Sequence, residues 1–119
     1  MAITIRALIV EDNEDDAMLL LRELRKSDFE PVFERVETPY AMKSALTMGG
    51  PWDVIISDHT LPHMNSSDTL MILKETGLDI PFIIVSGTLS EEVAVEAMKA
   101  GAHDFISKDN LVRFVPVIM

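Results

Sequence analysis

Four places in this sequence set a reactive side chain at the end of a short apolar run. Glu11 and Asp12 follow Ile5–Val10, Asp58 follows Val54–Ser57, Ser86-Gly87 closes Phe82–Ser86, and Lys108 closes Asp104–Lys108. Three carboxylates brought together repel, and a hard divalent cation relieves the repulsion. Mg2+ favours oxygen ligands and keeps several of its waters, so one or two carboxylates suffice to hold it. A single Lys then suits an incoming phosphoryl group as a point charge, and a Ser hydroxyl can hydrogen-bond the same group. A carboxylate can itself be the nucleophile and become an aspartyl phosphate. Phosphoryl transfer asks the protein mainly for positioning and charge neutralisation. Each residue alone has a plainer reading: Asp12 or Asn13 as a helix cap, Asp58 and Ser86-Gly87 as turn residues, Lys108 as a surface lysine. Their shared position at the ends of successive runs points to a site.

That position has meaning only if the runs are strands of one sheet. The runs at Ile5–Val10, Val54–Ser57 and Phe82–Ser86 are continuously apolar, as strands covered on both faces should be. Pro31–Val36 alternates and contains Glu34 and Arg35, which suits a strand near the edge with polar side chains reaching water. Asp104–Lys108 completes five. Helical patterns separate them. Ala17, Leu20, Leu21 and Leu24 repeat at helical spacing. Pro39–Met48 has Thr38 as its cap, Pro at the first helical position and Gly49-Gly50 at its end. Asp68–Thr76 stops at Gly77. A fourth helix starts at Ser90-Glu91-Glu92 and ends at Gly101, and Asp109-Asn110 opens a fifth. Strand–helix alternation repeated five times predicts an α/β fold, a parallel sheet with helices on both faces. In such sheets ligands bind at the carboxyl ends of the strands.

Composition narrows the function further. The chain has 119 residues, no Cys, 10 Lys+Arg and 20 Asp+Glu, for a formal net charge of −10. The length fits one domain spanning 1–119. Hydrophobic residues at 48% exclude a disordered acidic tail. The acid excess argues against direct nucleic-acid binding through phosphates. No apolar run nears the roughly 20 residues that cross a bilayer, so no membrane insertion is expected. The absence of a signal-peptide pattern predicts a cytoplasmic location. Lack of Cys excludes disulfides and thiolate metal sites. Pro116 interrupts the fifth helix, which suggests a last helix cut short and a chain that is a fragment of a longer protein.

The motifs Val10-Glu11-Asp12-Asn13, Ile55-Ile56-Ser57-Asp58-His59-Thr60-Leu61-Pro62, Ile84-Val85-Ser86-Gly87 and Phe105-Ile106-Ser107-Lys108, in this order and spacing, resemble the receiver domain of two-component response regulators over essentially the whole chain. The resemblance implies a flavodoxin-like doubly wound (βα)5 fold with strand order 2-1-3-4-5. It implies a regulatory phosphoacceptor rather than an enzyme. Asp58 takes the phosphoryl group from a histidine kinase or phosphotransfer domain. Glu11, Asp12, Asp58 and the backbone carbonyl of Thr60 hold Mg2+ or Mn2+, with Asp12 the more direct ligand of the acidic pair. Lys108 and Ser86 contact the phosphoryl group, and Ser86 and Phe105 form the conformational switch, a population shift between two states. The implied partners are an output domain, in the same chain or separate, and a second copy docked through helix 4, strand 5 and helix 5. The Lys108-Asp109-Asn110-Leu111 ending and Arg113 resemble receiver modules fused to hybrid sensor kinases or diguanylate cyclases.

The chain departs from the family where Asp109 replaces the usual Pro after Lys108, where Ser66 stands for a Gly before helix 3, where Ser67 replaces an apolar residue, and where Phe105 lacks a Tyr hydroxyl. These departures motivate an alternative: an interaction module that works without phosphorylation. A phosphatase of the haloacid dehalogenase type is disfavoured because Thr60 stands where a second acid is needed. A dinucleotide-binding domain is disfavoured because no G-x-G-x-x-G follows the first strand. His59, His63 and His103 read as exposed loop residues, with His59 beside the pocket mouth. Met71 and Met98 read as core fillers, and Trp52 as packing.

Overall fold

The structure is a computed structural model that describes residues 3–26, 29–58, 66–86 and 91–107. The elements run β1 (Ile3–Val10), α1 (Glu14–Lys26), β2 (Phe29–Val36), α2 (Pro39–Met48), β3 (Val54–Asp58), α3 (Ser66–Thr76), β4 (Phe82–Ser86), α4 (Glu91–Ala100) and β5 (Asp104–Ser107). All neighbouring strands are parallel, in the order β2-β1-β3-β4-β5. This is the doubly wound arrangement expected from the alternation and the motifs. The expected fifth helix lies outside the described residues.

The continuous apolar runs are explained by two cores, one on each face of the sheet. Successive strand residues point to opposite faces. Ile5, Ala7, Ile9, Val54, Ile56, Ile83, Val85 and Ile106 pack with Ala17, Leu20, Leu21 and Leu24 of α1. Leu8, Val10, Ile55, Phe82, Ile84 and Phe105 pack with residues of α2 and α3 on the other face. A central strand here has no wet face, so alternation disappears from its sequence. The edge strand β2 differs: Val32, Phe33, Glu34 and Arg35 are all exposed.

Local chemistry sets the helix ends. Thr38 has an extended backbone, and its Oγ1 accepts from the Ala41 N–H at 3.1 Å, with Pro39 at the first helical position. The α2 and α3 positions that face inward are Met42, Ala45 and Leu46, and Thr69, Leu70, Ile72 and Leu73. Gly77 ends α3 at φ 74°, a left-handed conformation that favours glycine. At the start of β3, Arg6 fastens the preceding loop. Its Nε donates to the Pro51 carbonyl at 2.8 Å, its backbone N–H to Asp53 Oδ2 at 2.8 Å, and its guanidinium lies 5.9 Å from the Trp52 ring centroid.

Several expectations require correction. Met71 and Met98 do not fill the core; they are 62% and 43% exposed. Met71 lies about 100° around α3 from Leu70, on the side away from Leu70 and Leu73, and among the described residues Met42 is the methionine that packs inside. The third helix begins at Ser66 rather than Asp68, so Ser66 is helical and not a turn residue. The first strand starts at Ile3, because Phe29 of β2 supplies it a partner.

Candidate functional site

The pairing registers bring the strand ends to one edge. Val10 pairs with Ser57 and Val36, Asp58 with Val85, and Ser86 with Ser107. Glu11 extends the β1–β2 pairing by one step, its N–H donating to the Val36 carbonyl at 3.0 Å. The chain then turns. Asn13 N–H donates to Glu11 Oε1 at 3.1 Å, and Asn13 Oδ1 accepts from the Asp16 N–H at 3.1 Å. Asn13 is therefore the cap of α1, one of the two candidates for that role, and Asp12 is left for another use. Glu14, Asp15 and Asp16 fill the first turn of α1, where negative charge complements the helix dipole.

Glu11, Asp12 and Asp58 converge. One carboxylate oxygen from each lies within 4.8 Å of the other two. Glu11 is buried, Asp58 half-buried and Asp12 exposed. Below Asp58, the buried Ser57 hydroxyl donates to the Asp58 carbonyl at 2.9 Å and fixes the last residue of β3. The donor set fits Mg2+ or Mn2+ in kind, because it consists of hard carboxylate oxygens. It also fits in size. Two oxygens on one octahedral ion at about 2.1 Å sit roughly 3 to 4.2 Å apart, a range that falls inside the 4.8 Å within which the three carboxylate oxygens lie. Asp12 and Asp58 are the accessible members, and Glu11 is the one held from within.

The other expected site residues divide. Ser86 is the last residue of β4, 3% exposed, one step beyond the Asp58–Val85 pair. Phe105, 6% exposed, pairs with Ile84 and shares with it the core face that α2 and α3 cover. By the two-residue period Ser86 and Phe105 belong to the same face of neighbouring strands. Lys108 follows Ser107 and lies outside the described residues, as do Thr60, His59 and His63. His103 is exposed as expected, yet it is bonded: its Nδ1 accepts from the Phe82 N–H at 3.0 Å, and its own N–H donates to the Phe82 carbonyl at 2.8 Å.

From the sequence Arg35 is expected only to face water on an edge strand. Its Nη1 donates to the Glu11 carbonyl at 3.1 Å, and its guanidinium lies 3.7 Å from Glu37. The signal for this contact is combinatorial. It requires knowing that the second strand pairs with the first, which places a long cationic side chain next to the acidic turn.

Comparison with known proteins agrees with the fold and the motifs. The family model for the response regulator receiver domain matches residues 7–115. The response regulator SaeR of Staphylococcus aureus is 28% identical over 102 residues, which are 85% of this chain and 42% of SaeR. The chain thus spans less than half the length of that relative. Among solved structures, the beryllofluoride-activated NtrC4 receiver domain dimer has a TM-score of 0.80 at 26% identity, covering 95% of this chain and 92% of the other. The receiver domain of the histidine kinase CKI1 from Arabidopsis thaliana, complexed with Mg2+ and BeF3−, has a TM-score of 0.74 at 26% identity, covering 95% and 86%.

Proposed function

Since the chain belongs to the response regulator receiver domain family, we propose that it accepts a phosphoryl group on Asp58 from the phosphohistidine of a histidine kinase or phosphotransfer domain. The observation that carries this reading is the convergence of the Glu11, Asp12 and Asp58 carboxylates within 4.8 Å at the carboxyl edge of the sheet. An Asp58 carboxylate oxygen forms the new P–O bond as the P–N bond to the donor imidazole breaks, and the imidazole nitrogen takes up the electron pair. Asp12, Asp58, Glu11 and the Thr60 carbonyl would hold Mg2+ or Mn2+, with Asp12 the more direct ligand of the acidic pair. The bound ion supplies positive charge against the phosphoryl oxygens. Lys108 supplies a second positive charge, and the Ser86 hydroxyl a hydrogen bond to the same group.

The product differs from the starting site by a tetrahedral anion beside Ser86. Contacts made only in that state bias the protein toward a second conformation. Ser86 and the buried Phe105 are the pair through which the bias reaches β5 and α4. The output domain, in this chain or in a partner, and a homodimer formed through α4, β5 and the fifth helix read that change. The exposed Val95 and Met98 of α4 belong to this surface. The setting is cytoplasmic; no helix of the described residues is long and apolar enough to cross a membrane.

A radiolabelled phosphohistidine donor, a phosphotransfer domain charged beforehand, tests the reading. Label should pass to the wild type in Mg2+, in a form released by hydroxylamine as an acyl phosphate is. Transfer of equal label to Asp58→Asn would show that another residue is the acceptor.

A further inference from the structure

Arg35 reaches the acidic turn from β2, a strand that carries none of the three carboxylates. We propose that Arg35 is a positioning residue for metal binding: it grips the Glu11 carbonyl and so sets the backbone from which Glu11 and Asp12 present their carboxylates. This rests on the reading of Glu11, Asp12 and Asp58 as the Mg2+ site.

The geometry is a two-sided hold on one residue. β2 accepts the Glu11 N–H through the Val36 carbonyl at 3.0 Å, and it donates to the Glu11 carbonyl through Arg35 Nη1 at 3.1 Å. The Glu11 side chain is in turn fixed by the Asn13 N–H at 3.1 Å. Both main-chain groups of Glu11 are thereby satisfied just where the strand ends, and Asp12 follows directly on that held backbone. An arginine on an edge strand has water available on its open side. Arg35 is an exposed residue, yet its side chain, 32% exposed, spends a donor on a backbone oxygen beside the acids. The planar, always-charged guanidinium suits this task because its rigid fork loses little freedom per hydrogen bond. Glu37 Oε2 lies 3.7 Å from the same nitrogen and adds a partly exposed ion pair to it.

A second effect of the same side chain runs in the opposite direction, and this makes the inference decidable. Arg35 is a positive charge near a cation site, so by Coulomb's law alone its removal should tighten Mg2+ binding. Positioning predicts the reverse, because a loosened turn must be reordered whenever the ion binds. We expect the loss of a charge-assisted, partly exposed hydrogen bond to weaken binding about fivefold.

The test is the Mg2+ affinity of the full chain by isothermal titration for wild type, Arg35→Ala, Arg35→Gln and Arg6→Ala. The last removes a comparable fastening from the opposite edge of the sheet and serves as the control for general loosening. Positioning is supported if the folded Arg35 variants bind Mg2+ about fivefold more weakly while Arg6→Ala melts lower and binds as wild type does. It is overturned if either Arg35 variant binds as tightly as wild type or more tightly, or if Arg6→Ala weakens binding equally. Wild type that binds no Mg2+ overturns the metal-site reading itself, a result separate from the Arg35 outcomes.

Discussion

Replacing Asp58 by Asn should make the Mg2+-free protein more stable, although it removes the proposed phosphoacceptor. The carboxylates of Glu11, Asp12 and Asp58 lie within 4.8 Å of one another, and the substitution deletes two of the three repulsive pairs while keeping the side chain's size. At 4.8 Å a like-charged pair costs about 0.9 kcal/mol in water and about 3.5 kcal/mol at an effective dielectric of 20. Asp12 is exposed and Asp58 half-buried, so water screens their pair to the lower value. Glu11 is buried, so its pair with Asp58 costs more. The sum is at least about 2 kcal/mol in favour of the variant. For a chain of 119 residues this corresponds to a rise in Tm of roughly 6–8 °C. Saturating Mg2+ should reverse the order. Binding to the folded state alone stabilises by about 2.7 kcal/mol at a hundredfold excess over Kd, and only wild type keeps the full donor set. Thermal melts followed by circular dichroism, with EDTA and with saturating MgCl2, measure both arms. The reasoning is refuted if Asp58→Asn melts below wild type in EDTA, or if Mg2+ raises both proteins equally.

Further outcomes follow from the same geometry. Thr38→Ala removes the cap on α2 and should cost about 1 kcal/mol by urea denaturation, with Mg2+ affinity unchanged. Ser86→Ala should leave Mg2+ affinity as in wild type while slowing phosphoryl gain at least about tenfold, the loss of one hydrogen bond to a charged group; stopped-flow phosphorylation beside titration separates the two. Met71→Lys should change stability by less than about 0.5 kcal/mol, since Met71 faces water; a large loss would return it to the core.

The parts of the fold that were legible in the sequence are those fixed by local chemistry. Thr38, Pro39 and Gly49 delimit α2 because a cap, a preset φ and a terminating glycine act within a few residues. The parallel sheet was legible because Val54–Ser57 and Phe82–Ser86 are too short and too evenly apolar for surface helices. What stayed hidden depends on where elements meet. The apolar character of a methionine does not say which way it faces: helical spacing suits Met71 and Met98 to the core, yet Met42 alone of the three is covered on all sides. The contact between Arg35 and the Glu11 carbonyl joins residues 24 apart in sequence, and it exists only because β2 lies beside β1. The carboxylates of Glu11, Asp12 and Asp58 meet as expected, because Glu11 and Asp12 are the first two residues after β1, Asp58 ends β3, and the parallel register aligns those ends. Ser57, buried and bonded to the Asp58 carbonyl, gave no signal within its apolar run beyond being its one hydroxyl.

Intact-mass spectrometry with a small acyl-phosphate donor tests the central claim most directly. Wild type in Mg2+ should gain the mass of one phosphoryl group, gain nothing when EDTA replaces the metal, and gain nothing as Asp58→Asn under either condition. Wild type that binds Mg2+ yet stays at its starting mass, or an Asp58→Asn protein that gains the group as fast as wild type, would contradict the account.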